Sequence, residues 1–108
     1  MTKILGDTGA ETAILAGLFA YGLESYIEIS DIIDHNSFCN QNNQLIYKCI
    51  EKILSKEAEV DLPSLLSAAE QLGFSETIQT KQELQYIKTL MDFPVKKENV
   101  LHFAAQIK

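Results

Sequence analysis

Apolar residues recur at helical spacing along most of the chain, and no segment alternates apolar and polar residues as a half-buried strand would. The first helix is predicted to begin at Thr8, because Thr8-x-x-Glu11 has the spacing of a capping box. Gly22 is its expected end, since glycine readily adopts the left-handed conformation of a C-terminal cap. Its apolar stripe consists of Ala10, Ile14, Leu15, Leu18 and Phe19.

Residues 24–33 are predicted to form a second, shorter helix that turns Tyr26, Ile29, Ile32 and Ile33 inward. A short strand is the alternative, because isoleucine is only a modest helix former. Residues 34–37, Asp-His-Asn-Ser, are typical of a turn. Phe38 follows this turn, and we expect it to enter the core from the loop.

The clearest helical pattern lies at residues 45–54, where six apolar residues form one broad face. They are Leu45, Ile46, Cys49, Ile50, Ile53 and Leu54. Lys48, Lys52 and Lys56 follow one another at four-residue steps on another face. This lysine stripe is either the solvated side of an amphipathic helix or a candidate interface for an acidic partner.

The next helix has recognisable signals at both ends. Asp61 has the side chain of an N-cap, and Pro63 falls in the first turn, where its missing N–H does no harm. Gly73 is the expected end of this helix.

Two more helices complete the chain. Thr80-x-x-Glu83 is a second capping box, and the helix that it opens is broken by Pro94. Asn99 is the candidate cap of the last helix. Val100, Phe103, Ala104 and Ile107 form its apolar stripe. Val100, Phe103 and Ile107 either pack on the core or form a candidate partner interface, and both interpretations stay open.

We therefore predict an all-α fold, a single globular domain of about six helices, which suits a chain of 108 residues. Residues 1–9 are expected to be a lead-in, residues 10–96 the globular domain and residues 97–108 the final helix. The predicted core contains Leu15, Leu18, Phe38, Ile46, Ile50, Leu66, Ile87 and Phe103.

Charge excludes one class of function. The formal net charge is -6, and all nine basic residues are lysines. A nucleic-acid-binding domain usually carries a basic face that neutralises phosphates, so we expect no direct DNA binding. Residues 1–47 contain one lysine and six acidic residues. This acidic first half is either a solvated surface or a face for a basic protein partner.

The residues offer no catalytic or metal-binding pattern. Cys39 and Cys49, with His35 and His102, lack the spacing of a metal site, and reduced thiols are the simplest interpretation. No G-x-x-x-x-G-K-[ST] motif is present. We expect no enzyme activity and no cofactor for this chain. Without an apolar run of roughly 20 residues or a secretory signal, a cytoplasmic protein is expected.

Several short motifs follow one another in a fixed order: AETAIL at residues 10–15, LIYKCI at 45–50, Tyr86-Ile87 with Leu90, and Phe93-Pro94 before NVLHFA at 99–104. They resemble "AExAVLG", "LIFxAI", "YLxxL" and "VPSAxNIxxYA" of the N-terminal domain of DnaB-type replicative DNA helicases. The resemblance covers residues 10–108. Ala16 stands at the family's glycine, with Gly17 one place later, and Asn43 stands at its histidine. Such departures are typical of a divergent member, for instance one from a phage.

The resemblance implies a ring-shaped hexamer that unwinds DNA, with ATP and Mg bound in a motor domain that follows this one. The chain is then part of a longer protein, and residues 97–108 lead toward a helical hairpin and the motor. The family's N-terminal domain forms the collar of the ring, contacts neighbouring subunits and receives primase. By itself, the domain is expected to associate weakly, as a dimer.

A free-standing helical adaptor or regulator is the competing hypothesis. It predicts the same fold and the same lack of chemistry. The two differ in whether the native reading frame continues into a RecA-like domain that carries a phosphate-binding loop.

Overall fold

The computed structural model describes residues 8–108, with side chains from residue 9 onward, and every regular element among them is helical. The helices are α1 (Thr8–Tyr21), α2 (Leu23–Ile29), α3 (Gln41–Ser55), α4 (Leu62–Leu72), α5 (Ser75–Ile78), α6 (Lys81–Asp92) and α7 (Lys97–Ile107). A 3-10 turn at His35–Ser37 precedes α3. The predicted all-α fold is confirmed. The alternative strand within residues 24–33 does not form, and residues 30–32 are turns.

Helix α1 lies at the centre of the domain. The sequence predicted one apolar stripe for it, but residues 13–18 are all buried, including the small residues between the stripe positions. A helix that is buried on nearly every side must be surrounded by other helices. Helices α2, α3, α6 and α7 all pack against α1.

The closest approach joins α1 to α7. A methyl group added at Gly17 would overlap the side chain of Val100, so only glycine fits at this position. The Tyr21 hydroxyl donates a hydrogen bond to the carbonyl of Val95, with an O···O distance of 2.6 Å. This bond fixes the loop before α7 to the end of α1.

Several helix ends follow the predicted signals. The Asp61 carboxylate accepts a hydrogen bond from the backbone N–H of Ser64 at 2.9 Å. Gly73 adopts the predicted left-handed cap conformation, with φ +86° and ψ +17°. Gly22 also has a positive φ, +61°, and follows the end of α1, but its ψ of -132° lies outside that conformation. Asn40 caps α3 by accepting from the N–H of Asn43 at 3.0 Å, which the sequence analysis did not predict.

Two predictions of helix boundaries were wrong: α2 ends at Ile29 rather than at residue 33, and Asn99 does not cap the last helix. Asn99 lies inside α7 rather than capping it, because the helix begins at Lys97, with Lys96 at the N-cap position. The four-residue helix α5 was not predicted, since so short a segment shows no periodic pattern.

The core contains buried residues from all seven helices. Six of the predicted core residues are fully buried, and two, Leu66 and Phe103, are only partly buried at the edge of the core. The neighbouring Leu65 takes the buried place on α4. The six buried residues are Leu15, Leu18, Phe38, Ile46, Ile50 and Ile87.

Candidate partner-binding surfaces

A buried carboxylate holds the beginning of α3 against α1. Glu11 is only 2% exposed, and its two oxygens accept hydrogen bonds from the Cys39 N–H at 2.8 Å, the Asn40 N–H at 3.4 Å and Asn43 Nδ2 at 2.9 Å. The predicted role of Glu11 was to cap α1 together with Thr8, whose side chain lies outside the described residues. Among the described residues, three N–H donors and no cation surround this carboxylate, so its burial depends on those hydrogen bonds.

The same network reaches α6 through Asn43. The Tyr86 hydroxyl donates to Asn43 Oδ1 at 2.7 Å and lies 3.4 Å from the Thr12 hydroxyl. Asn43 is 1% exposed, so its amide is a buried link between α1, α3 and α6. Burial is the main reason why the pKa of Tyr86 is raised, and the phenol is protonated at neutral pH. The network fixes three helices relative to one another.

The second predicted capping box is half formed. The Thr80 hydroxyl accepts from the N–H of Glu83 at 3.2 Å, as predicted. The Glu83 carboxylate does not return to Thr80, and accepts instead from Asn42 Nδ2 at 2.8 Å. Its other oxygen is buried and has no hydrogen-bond partner. Burial accordingly raises the pKa of Glu83.

The residues of the candidate interface on the final helix differ in how deeply they are buried. Val100 is fully buried against Gly17, so it belongs to the core and is not available at the surface of this domain. Phe103 and Ile107 are half-buried and pack at the edge of the core. Val100 is thus a core residue. Phe103 and Ile107 keep part of their side chains exposed at the surface.

A groove of about 960 Å³ runs between α1 and α7, beside the loop at residues 93–95. Phe103 lies along it, and Phe93 is 40% exposed at its rim. The other apolar residues that line it are Ala10, Ala13, Ala20, Tyr21, Pro94 and Val95. We call it the α1–α7 groove.

The lysine stripe of α3 is not a uniform solvated face. Lys48 Nζ lies 5.8 Å from the centroid of the Phe74 ring, at cation–π distance. Lys52 is half-buried, and Lys56 Nζ lies 3.4 Å from Gln71 Oε1 on α4. Two lysines of the stripe therefore contact residues of α4 and of the segment just before α5.

Lys52 and Lys56 edge a second groove, of about 300 Å³, between α3 and α4. Its apolar lining comes from Ile53, Ala58, Pro63 and Ala68, and its polar lining from Ser64, Ser67 and Gln71. We call it the α3–α4 groove. It combines an apolar floor with two ammonium groups at its edge.

A third surface lies on α2. Ile27 is 61% exposed and Leu23 is 43% exposed, whereas Ser25 and Ile29 of the same helix are buried. Glu24 and Glu28 of the same helix are exposed as well, and Asp31 follows in the turn after the helix. We call these five exposed residues the α2 face: Leu23, Glu24, Ile27, Glu28 and Asp31.

Two polar contacts join α2 to neighbouring helices. The Tyr26 hydroxyl donates to Glu51 Oε2 of α3 at 2.9 Å, and burial with this bond raises the pKa of Tyr26 to about 12. Lys97 Nζ of α7 lies 3.3 Å from Glu24 Oε1. Within the described part of the chain, Glu28 and Asp31 have no ion-pair partner.

The described residues contain no group of three or more histidine, cysteine, aspartate or glutamate side chains that could hold a metal ion. Both cysteines are free, and burial raises the pKa of the Cys49 thiol to about 11. A thiol with so high a pKa is a poor nucleophile at neutral pH. No helix between residues 8 and 108 has the length and apolar character needed to cross a membrane.

Comparison with known proteins decides the family. Residues 5–108 match the family described as "DnaB-like helicase N terminal domain". The chain belongs to this family. This DnaB-like domain matches no curated protein sequence. Membership agrees with the resemblance found in the motifs, and it makes the chain an N-terminal domain of a DnaB-like helicase.

The fold of the DnaB-like domain is similar to that of a solved relative. The crystal structure of the N-terminal domain of DnaB helicase from Mycobacterium tuberculosis superposes with a TM-score of 0.81 at 16% sequence identity. The match covers 97% of this chain and 73% of that one. At this identity the similarity concerns the fold alone.

Sequence reasoning missed two of the features described above. Glu11 was assigned to a helix cap, because a capping-box spacing carries no information about distant donors. The α2 face was overlooked, although Leu23 and Ile27 are spaced i, i+4 on one face with the acids around them. The sequence pattern showed Glu24, Glu28 and Asp31 only as part of the negative charge of the first half of the chain.

Proposed function

We propose that this DnaB-like domain forms part of the collar of a hexameric replicative helicase, where it joins neighbouring subunits and receives primase. Its work is protein–protein contact. Membership of the DnaB-like N-terminal family over residues 5–108 is the observation that carries the proposal.

The surface of the domain supports this proposal. Among the described residues, large apolar side chains are exposed at four separate places: on α2, at the end of α4, at the rim of the α1–α7 groove and on α7, where Leu101 is 39% exposed. Exposed apolar residues close to polar rims are typical of interaction sites. Each patch is small, so the isolated domain is expected to self-associate weakly, as a dimer, and the ring supplies the effective concentration that several weak contacts need.

ATP hydrolysis, with its Mg ion, belongs in this proposal to a motor domain of the same protein. The sequence contains no G-x-x-x-x-G-K-[ST] motif, and its net charge of -6 does not suit direct DNA binding. The domain acts on DNA unwinding only by assembling and regulating the ring.

The test compares the complete helicase with a version that lacks residues 1–108. We expect the shortened protein to lose stable hexamers in sedimentation velocity and to lose stimulation by primase in an unwinding assay. ATPase activity of the remaining motor provides the control for its folding. Unchanged hexamers together with unchanged primase stimulation would contradict the proposal.

A further inference from the structure

A pocket of about 600 Å³ lies at the C-terminal end of α1, beside the segment that follows α3. It is lined by residues 19–21, which are the last three of α1, by Gly22 and Leu23, by Leu54 and by residues 57–60. We call it the helix-end pocket. Its volume falls within the range of roughly 300–1,000 Å³ that is typical of ligand pockets.

The charges at the helix-end pocket are negative and unpaired. Glu57 and Glu59 line the pocket and are exposed, and neither forms an ion pair within residues 8–108. The last turn of α1 carries no basic residue to offset the partial negative charge of that helix end. Among the described residues, no lysine or histidine lines the pocket. Lys56, which precedes Glu57, instead edges the α3–α4 groove, with Nζ 3.4 Å from Gln71 Oε1.

The other side chains that line the pocket are apolar, except for the Tyr21 hydroxyl, which already donates to the Val95 carbonyl. Leu54 is buried, whereas Leu23 is 43% exposed and has surface free for contact. A bare metal ion gains nothing from apolar walls, and residues 8–108 contain no cluster of side chains that suits one. A lysine or arginine side chain combines an aliphatic stem with a cationic end, so it matches both parts of the lining.

We propose that the helix-end pocket receives a lysine or arginine side chain of a partner protein. The stem of that side chain lies along Leu23 and Leu54, and its cationic end reaches Glu57 and Glu59. Charge complementarity selects this occupant, because the pocket repels an acidic side chain and attracts a basic one. The contact goes beyond the collar role and does not depend on it.

Hydrogen bonds fix the backbone that carries Glu57. The Ala58 N–H donates to the Ile53 carbonyl at 3.3 Å, and the Glu57 N–H donates to the Leu54 carbonyl at 2.9 Å. This is the pattern of a Schellman turn, in which Glu57 occupies the left-handed position with φ +57°. Glycine is the usual residue at that position, so Glu57→Gly should remove the carboxylate without weakening the fold.

NMR chemical-shift titration of the isotope-labelled 108-residue chain tests the proposal. The probe is the peptide acetyl-Leu-Lys-Leu-amide, and the comparison peptides carry norleucine or glutamate in place of lysine. We expect the lysine peptide to bind with a Kd of about 1 mM and to shift the amide signals of residues 19–23 and 54–60. The norleucine peptide keeps the stem without the charge and should bind at least about threefold more weakly. The glutamate peptide should not bind.

The variant Glu57→Gly with Glu59→Gln removes both carboxylates of the pocket. It should weaken binding of the lysine peptide by about fivefold, because two charge contacts are lost, while urea unfolding shows that the domain remains folded. The matched control, Glu70→Gln with Glu76→Gln, changes two exposed glutamates outside the pocket and should leave the Kd within about twofold of the wild type. Glu57→Gly alone gives a second measurement if the double variant does not fold.

Several results would overturn the inference: no binding of the lysine peptide, shifts confined to other parts of the domain, a norleucine peptide that binds as tightly as the lysine peptide, or equal weakening in the control variant. Methylammonium chloride is titrated as a cation without a stem. If it binds in the pocket as tightly as the lysine peptide, the assignment to a long cationic side chain is wrong. The deletion experiment above tests the collar role separately, and neither result decides the other.

Discussion

Single buried polar side chains carry much of the specificity of this fold. Glu11 and Asn43 are both at most 2% exposed, and together they connect the loop before α3 to α1 and α6. Removing one partner of such a network leaves buried donors without acceptors, which costs more than the hydrogen bonds themselves contribute.

Replacing Glu11 with alanine should therefore destabilise the domain by about 3 kcal/mol, because three N–H donors lose their acceptor. Glu11→Gln should cost less, since one oxygen remains. Urea unfolding followed by circular dichroism measures both variants. Glu76→Ala, at an exposed glutamate, is the control and should stay within about 0.5 kcal/mol of the wild type. An equally small effect of Glu11→Ala would show that the network adds nothing to stability.

Glu83 should make stability depend on pH. Burial raises its pKa in the folded state, so the folded protein binds its proton more tightly than the unfolded chain does. The contribution of Glu83 to stability is then largest below the unfolded pKa and is lost as the pH rises through the folded pKa. Glu83→Gln should remove this loss.

Urea unfolding of the wild type and of Glu83→Gln, repeated from pH 4 upward, measures the difference between their free energies of unfolding. That difference should shift in favour of the variant as the pH rises. The exposed Glu76→Gln serves as the reference. A difference that is constant with pH would refute the assignment.

At the scale of elements, the arrangement depends on how closely α7 approaches α1. Gly17 leaves no room for a methyl group beneath Val100, and Val100 is fully buried as a result. The groove lined by Phe103 exists beside this contact. The spacing of these two helices thus determines both a part of the core and one of the exposed surfaces.

Gly17→Ala should destabilise the domain by about 1–3 kcal/mol, because the added methyl overlaps the Val100 side chain. Adding Val100→Ala removes the overlapping atoms, so the double variant should lose less stability than the two single variants together. Urea denaturation of the four proteins closes this cycle. Strictly additive changes in the free energy of unfolding would show that the methyl group added at position 17 does not meet the Val100 side chain.

At the scale of the whole molecule, charge governs which partners are accessible. A net charge of -6 with no arginine repels a phosphate backbone, and the lysines of α3 lean toward α4 and α5 rather than forming a basic face. This charge distribution is the reason why the proposed function assigns protein partners to the domain rather than DNA.

The isolated chain should show no appreciable binding to single-stranded DNA, even at low salt where electrostatic attraction is strongest. Fluorescence anisotropy with a labelled oligonucleotide measures this directly. The variant Glu28→Lys with Asp31→Lys provides a comparison of higher net charge. Salt-sensitive binding of the wild type with a Kd below about 1 μM would contradict the expectation.

The sequence by itself determined the helices and most of their ends. Asp61, Gly73 and Thr80 act locally, through hydrogen bonds or backbone angles within a few residues, so their positions in the sequence were sufficient. Phe38 was placed in the core correctly because a large apolar residue between polar turns has few other places to go. The ordered motifs also identified the family before the fold was known.

Only the tertiary structure decided what the polar and small residues do. Glu11 accepts hydrogen bonds from donors that lie 28 to 32 residues away in the sequence. Glu83 accepts one from Asn42, which lies 41 residues away in the sequence. Val100 is buried by its contact with Gly17, a residue 83 positions earlier in the chain. On α2, Leu23 and Ile27 remain exposed because no helix packs over them. Helical periodicity reports which side of a helix is apolar. It carries no information about which helix, if any, lies against that side, because packing depends on contacts between residues remote in sequence.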